Sequence, residues 1–439
     1  MRLGICGLGT VGGGTLRLLQ NKRAEITRRV GRELDVVRVA TRRRSKEFDL
    51  KGIEFSTDVF DVARDPDVDV VVELIGGFEP ALELVLLAIE NGKHVVTANK
   101  ALIAIHGNTI FSAARRKGVT VAYESAVAGG IPIIKALREG LAANSIQWVA
   151  GIINGTGNYI LTEMGEHERV FGDVLKEAQE LGYAEADPTF DVEGIDAAHK
   201  LAILASNAFG VELQFDRVYT EGISHITPED LAYTRELGYS VKHLGIARAD
   251  EKGIELRVHP TLISQQTLLA NVNGVMNAIW VQADSAGSTL YYGAGAGAEA
   301  TASSVVADII DIARAGEVAA AGTGMPPLAF DSLRDDLPVL EIRDIESAYY
   351  LRIPAHDRPG VMARITQVLE HYGINIEAVI QKEPQDDEHN GGVVTVPVVL
   401  LTAAVQEAQM DIAIGVIEEL EQVAGKVMRI RVEHFDEQE

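Results

Sequence analysis

A single cysteine, Cys6, stands in a chain of 439 residues. One thiol cannot build an intramolecular disulfide framework, so a packed core must hold the fold, and the sequence fits a reducing compartment. No apolar run is long enough to cross a bilayer, and the first strand pattern, LGIC, starts almost at Met1, leaving no room for a signal peptide. A cytoplasmic location is therefore expected. Basic residues are also in deficit: 40 Lys and Arg face 64 Asp and Glu, a formal net charge of −24. That balance argues against nucleic acid and anionic membrane surfaces as partners. The length allows two to three domains with ample core.

The densest chemistry lies in AQELGYAEADPTFDVEGIDAAHK, residues 178–200. Gly182 and Pro188 break the preceding helix and predict a turn-rich loop carrying Glu185, Asp187 and Asp191. A second helix is expected from near Gly194, on which Asp196 and Lys200 stack on one face, about 6 Å apart along the axis. Such a pair is commonly a solvated surface pair. Here the helix continues as LAILASNAF, too apolar for an exposed element, so the charged pair is expected to face a cavity.

At the N-terminus, LGIC runs into Gly7, Gly9 and Gly12 of a G-x-G-x-x-G, with Thr10 and Val11 between them, and TLRLLQNKRAEI follows as a helix. This is the order of a dinucleotide-binding βαβ unit, in which glycines let backbone amides approach a pyrophosphate at a helix N-terminus. The next strand, LDVVRVA, leads to Thr41, Arg42, Arg43 and Arg44, with no acid where an NAD site would hold the ribose. Guanidinium groups there suit a 2′-phosphate and favour NADP, with NAD still possible; the alternative is a solvated basic run. VDVVVELIGG, PALELVLLAIENG, KHVVTANK, NTIFSAARRKG and VTVAYES alternate strand and helix, predicting a doubly wound parallel sheet with Lys100 at the carboxyl end of a strand.

SAVAGGIPII, after Glu124, combines one carboxylate with exposed carbonyls in a tight turn, oxygen ligation that would suit sodium or potassium; a plain glycine-rich connector is the alternative. IQWVAGII predicts a strand leading to Asn154, Gly155, Thr156 and Gly157, with a helix from Asn158. VYTEGIS, YSVKHLGIAR, IELRVHPTLI and NAIWVQAD read as strands of an α+β domain, and YYGAGAGAEA, holding Gly293, Gly295 and Gly297, precedes a helix that returns to the first sheet. The expected boundaries are 1–130 for the nucleotide domain, completed by the helix at about 298–318, 131–297 for the catalytic and dimerisation domain, 319–345 for a linker, and 346–434 for a separate β-α-β-β-α-β unit of ferredoxin-like type.

The run A-x-x-x-G-Y-A-E-A-D-P-x-x-D-x-x-G-x-D-x-x-x-K resembles the signature of homoserine dehydrogenases at every fixed position, and the ANK and N-G-T-x-N-Y-I segments are similar to theirs. The resemblance implies reduction of L-aspartate 4-semialdehyde to L-homoserine. It makes Lys200 the proton donor and gives Lys100 a second catalytic or positioning role. Glu185 and Asp196 become substrate ligands, with Asp191, Gly155, Thr156 and Tyr183 beside them; Gly182 and Gly297 join the cofactor site. It places a monovalent cation at Glu124 and the carbonyls of Val127, Gly129 and Ile131. The last unit resembles an ACT domain through Asp357, Arg358, Pro359, Gly360 and Asn375, which implies an effector, L-threonine by pathway logic, near Asp357, Gly360 and Asn375, and a homodimer or homotetramer. A thiol-dependent semialdehyde dehydrogenase is disfavoured because Cys6 lies inside the first strand. A ligand sensor that had lost the chemistry would have lost Lys100 or Lys200.

Overall fold

The structure, a computed structural model, describes residues 1–44, 46–320, 325–382 and 394–435. Its first sheet is parallel, in the order β3-β2-β1-β4-β5-β6. The strands are β1 (Arg2–Cys6), β2 (Asp35–Ala40), β3 (Glu54–Ser56), β4 (Val70–Glu73), β5 (His94–Thr97) and β6 (Val121–Ala122). Between them run α1 (Thr10–Asn21), α2 (Arg23–Val30), α3 (Phe60–Arg64), α4 (Ala81–Glu90) and α5 (Lys100–Lys117). The β-branched runs VVVE and HVVT are buried on both faces, as parallel strands between helix layers must be. The expected α/β doubly wound class is what forms. Lys100, expected at a strand end, instead opens α5, with Asn99 capping that helix through the amide of Leu102.

Two short helical pieces at α6 (Ile133–Lys135) and residues 136–140 lead into the second sheet, with strands β7 (Ile146–Ile152), β8 (Tyr219–Thr220), β9 (Tyr239–Ala249), β10 (Ile254–Ser264), β11 (Met276–Ala283) and β12 (Gly287–Ala294). Its helices are α7 (Gly155–His167), α8 (Phe171–Glu180), α9 (Thr189–Val192), α10 (Ile195–Phe209), α11 (Pro228–Glu236) and α12 (Ala298–Ala320, broken at Gly316). Two sequence expectations are corrected: VYTEGIS yields only a two-residue strand, and the helix after β7 begins at Gly155 rather than Asn158. YYGA, left unassigned by the sequence, belongs to β12, where Tyr291 and Tyr292 pair with Ile279 and Ala278. Helix α10 is buried from Asp196 to Phe209, wedged between α5 and the sheet formed by β7, β9 and β10. Helix α12 lies on α1, where Gly14 lets the two backbones meet: a Cβ there would stand 2.6 Å from the Ala298 carbonyl oxygen.

The C-terminal elements are β13 (Glu346–His356), α13 (Val361–His371), β14 (Ile376–Gln381), β15 (Thr395–Thr402), β16 (Val405–Gln406), α14 (Glu407–Glu418) and β17 (Met428–Val432). The hairpin expected over QDDEHNGG lies outside the described residues. The β-α-β-β-α-β order is present, but the unit is not separate. Strand β17 pairs in parallel with β10, Thr261 with Arg431 and Leu262 with Val432, so both sheets form one continuous surface in the order β12-β11-β7-β9-β10-β17-β13-β15-β14. SAYYLRI buries both faces in period two. Tyr349, Leu351 and Ile353 pack on α13 and α14, whereas Ala348 and Tyr350 join Tyr159, Leu231 and Leu262 of the preceding domain. The expected linker is likewise docked, with the Arg334 amide donating to Gly210 (2.7 Å) and the Leu340 amide to Ile254 (2.9 Å).

Candidate active site

A cavity of about 610 Å³ opens where α1, α5, α7, α10 and the turn before α12 converge. On its wall Asp196 holds two lysines: Oδ1 is 2.6 Å from Lys100 Nζ and Oδ2 is 2.6 Å from Lys200 Nζ. The i, i+4 spacing on α10 supplies the Lys200 contact, and the first turn of α5 supplies the other. Lys200 also donates to the Ile153 carbonyl at 2.7 Å. Asn154, at the end of β7, donates to both Asp196 (2.9 Å) and Asp191 (2.8 Å), and its oxygen caps α7 through the Gly157 amide (2.8 Å). One carboxamide therefore ties three elements together, a role its place in N-G-T-x-N-Y-I had not disclosed.

Burial divides the two lysines. For Lys200 desolvation is the largest effect, Lys100 adds repulsion, and Asp196 does not fully compensate, so its pKa falls below the ordinary lysine value. For Lys100, more exposed, desolvation is outweighed by Asp196, with help from Asp191 and Glu185, and its pKa rises. Asp196 stays ionised: burial opposes its charge, but Lys200 and Lys100 hold its carboxyl far below the usual range. Asp191 is pushed up by burial, against its bond from Asn154. His199, between the two charged residues in sequence, stacks on Phe215 (4.2 Å between centroids) and Phe190 (5.3 Å), and burial pushes it down to about 4.

Most of the residues singled out from the sequence meet here. Thr10, Val11, Gly155, Thr156, Gly182, Tyr183, Glu185, Asp191, Gly129 and Gly297 all line the cavity. Thr156 Oγ1 donates to the Tyr183 carbonyl at 2.6 Å, fastening the α8–α9 loop to α7. Gly7 and Gly12 lie just behind: Gly7 has φ +94°, its amide donates to Ala40 (2.8 Å), and a Cβ on Gly12 would overlap the Gly7 carbonyl. Beyond Gly9 the space is open, the cradle a pyrophosphate needs. Arg42 and Arg43 are exposed at the end of β2, off the cavity wall. Glu124 departs from the ligand expected: its two carboxylate oxygens accept the amides of Ile134 and Lys135, both at 2.9 Å, so its side chain caps the next helical turn. Val127 and Ile131 are buried behind the cavity. Asp357, Gly360 and Asn375 are exposed, the first two in the β13–α13 loop and Asn375 just before β14. Cys6 is buried, its thiol pushed up by burial and by Glu73, which suits a core residue.

Residues 7–124 match the family described as homoserine dehydrogenase, NAD binding domain; residues 132–310 match homoserine dehydrogenase, and residues 349–408 the ACT domain. A homoserine dehydrogenase of Pseudomonas aeruginosa is 60% identical over 438 residues, 99% of each chain. The chain belongs to the homoserine dehydrogenase family. Among solved structures, the homoserine dehydrogenase of Thiobacillus denitrificans aligns with a TM-score of 0.93 at 57% identity, covering 99% of this chain and 98% of that one. A hyperthermophilic archaeal homoserine dehydrogenase in complex with NADPH aligns with a TM-score of 0.61 at 26% identity, covering 76% of this chain and 99% of that one. As a homoserine dehydrogenase with a C-terminal ACT domain, the chain is an NAD(P)-dependent oxidoreductase. No helix among the described residues is long and apolar enough to cross a membrane.

Proposed function

We propose that the chain reduces L-aspartate 4-semialdehyde to L-homoserine in the cytoplasm, serving the pathway to threonine, methionine and isoleucine. The observation that carries this reading is the pair of lysines on Asp196, split in acidity. The dinucleotide, when bound, supplies the hydride. Negative charge grows on the aldehyde oxygen as hydride reaches the carbon, and Lys200, the lysine that gives up its proton more readily, protonates it. Lys100 stays charged and holds Asp196 in place. Glu185 and Asp191 offer carboxylates to the substrate ammonium, while the α7 N-terminus, at Gly155 and Thr156, offers amides to its carboxylate.

The cradle at Gly7, Gly9 and Gly12 fits a pyrophosphate, and Arg42 and Arg43 favour the 2′-phosphate of NADP over NAD. The turn from Val127 to Ile131 supplies oxygens of the class that holds sodium or potassium; Gly129, at the cavity wall, brings that turn to the site. The ACT domain would bind L-threonine near Asp357, Gly360 and Asn375, and a homodimer or homotetramer would be the working form.

An assay with the aldehyde and each dinucleotide tests the activity. Lys200→Ala is expected to lower turnover by roughly 10² to 10⁴ while calorimetric NADPH affinity stays within a few-fold. Near-normal turnover in that variant would remove Lys200 from the proton transfer.

A further inference from the structure

Glu73, the last residue of β4, is 0% exposed, and its side chain pairs with no cation among the described residues. Buried carboxyl groups are ordinarily neutralised by a cation or by a proton. Here every partner is a donor. Oε1 accepts the amides of Ile75 (2.7 Å) and Gly76 (3.3 Å), and Oε2 accepts the Thr97 hydroxyl (2.6 Å). The Thr97 oxygen already accepts the Asn99 amide (3.0 Å), which directs its own proton to Glu73. A neutral carboxyl would have to place an O–H on an acceptor, and its contacts offer none, so the group is a carboxylate with a full charge inside the wall.

Its neighbours fix where that charge lies. Register sets Glu73 between Cys6 of β1 and Thr97 of β5. The loop it holds packs on the pyrophosphate cradle: a Cβ on Gly7 would stand 2.5 Å from the Leu74 carbonyl oxygen and 3.3 Å from Ile75 Cα. After Thr97 come Ala98 and Lys100, both on the cavity wall. The charge therefore sits behind the stretch that joins the cradle to Lys100. In a doubly wound sheet a dinucleotide crosses the carboxyl ends of the strands with its halves on either side of the β1–β4 switch point. Arg42 and Arg43 mark the adenosine half beyond β2, so the nicotinamide half falls on the side of β4 and β5.

We propose that Glu73 is an electrostatic determinant of the hydride step, a fixed negative charge that favours the oxidised, cationic nicotinamide over the neutral dihydronicotinamide. This rests on the dehydrogenase reading above. When hydride leaves the dihydronicotinamide for the aldehyde carbon, the ring becomes a pyridinium cation and the oxygen gains the negative charge that Lys200 protonates. Lys200 serves one end of that charge separation. Glu73 serves the other, through the wall rather than by contact, and its partners, two backbone amides and a buried hydroxyl, are in place before the charge develops. Asp196, also buried, is neutralised by two lysines; Glu73 is not.

Glu73→Gln keeps the size of the side chain and the acceptor for Ile75 and Gly76 while removing the charge. Calorimetry with NADP⁺ and with NADPH reads the effect: the ratio of dissociation constants, NADP⁺ over NADPH, should rise at least about threefold in the variant. Single-turnover hydride transfer should slow for aldehyde reduction by NADPH and quicken for homoserine oxidation by NADP⁺, a split that a purely structural role does not produce. Equal loss of affinity for both dinucleotides, or slowing in both directions, overturns the proposal and leaves Glu73 as a loop anchor. Glu73→Asp, which keeps the charge, should hold the ratio of the unaltered protein; a shift as large as that of the Gln variant would assign the effect to shape and overturn the proposal too. Should neither variant fold, the unaltered protein decides. There the lysines face Asp196, Asp191 and Glu185, so Glu73 tips the balance: NADP⁺ should bind at least as tightly as NADPH, and tighter binding of NADPH overturns the proposal. If the unaltered protein binds neither dinucleotide, the dehydrogenase reading fails and the inference with it; dehydrogenase activity with an unchanged ratio in Glu73→Gln sinks the Glu73 assignment alone.

Discussion

Asp196 reaches two cations with two oxygens, one to Lys100 and one to Lys200. Asp196 raises the pKa of Lys200 and Lys100 lowers it. With Lys200 as the proposed proton donor, reduction would require its protonated amine, and the rate is expected to fall as pH rises through the Lys200 pKa. Removing the carboxylate charge with Asp196→Asn should move that alkaline limb to lower pH; removing the neighbouring cation with Lys100→Met should move it to higher pH, each by roughly one unit or more. Profiles of kcat/KM against pH decide the matter, and limbs moving in the same direction would reject this electrostatic picture. The Asp196 and Lys200 pair was legible from its spacing on an apolar helix. Asn154 was not, because an amide shows its purpose only through what stands opposite it in space.

Strand β17 is the element that changes the architecture. Arg431, 1% exposed, donates to Glu407 of α14 (2.9 Å) and to Glu221 of the catalytic domain (2.6 Å), while Glu433, immediately after the strand, receives Arg257 (2.5 Å) and Arg248 (3.2 Å). Arg257 is wholly buried and Phe435 closes the Trp148–Trp280 pair, with ring centroids 4.9 and 5.3 Å away. Glu433→Ala would leave two guanidinium groups without that partner, one of them fully desolvated. A loss of about 3–5 kcal/mol in urea unfolding is expected, since breaking a buried pair costs far more than the pair contributes. A loss below about 1 kcal/mol would show that Glu255 suffices for Arg257. VMRIRVEHF read correctly as a strand; its partner, β10, lies far away in the chain, and no local pattern specifies such a pairing.

For the whole molecule, the shared sheet bears on regulation. Arg431 joins the ACT helix α14 to Glu221, whose amide bonds Val258 (2.8 Å), and two residues on the Ile223 amide bonds Val192 (3.0 Å), close to the Gly194 turn that starts α10. A packed path therefore runs from the C-terminal domain to Asp196 and Lys200. It also means that truncation after Asp344 should not release a working dehydrogenase: β10 would become an open edge, and the faces under Tyr350 and Phe435 would meet water. Aggregation in size-exclusion chromatography is expected, and an active truncated enzyme would contradict it. The proposed threonine regulation is better tested in the full chain: if threonine inhibits it, Asp357→Ala should weaken that inhibition at least tenfold and leave basal turnover unchanged, and an unchanged inhibition constant would remove the β13–α13 loop from the proposed effector site.

Local physics made much of this protein readable from residues alone. Gly7 with positive φ and Gly12 under a carbonyl, β-branched runs between amphipathic helices, and an Asp and Lys one turn apart on an apolar helix each state a short-range constraint that the chain obeys wherever it folds. Tertiary structure alone decided what depends on approach across long sequence separation: Lys100 arriving at Asp196 from another domain, Glu124 turning its carboxylate to two amides, β17 entering the catalytic sheet, and Glu73 buried against Thr97 with no cation to pair it. The physical reason is that backbone preference and side-chain period act over a few residues, whereas desolvation and pairing are set by whichever distant groups the fold brings within about 3 Å.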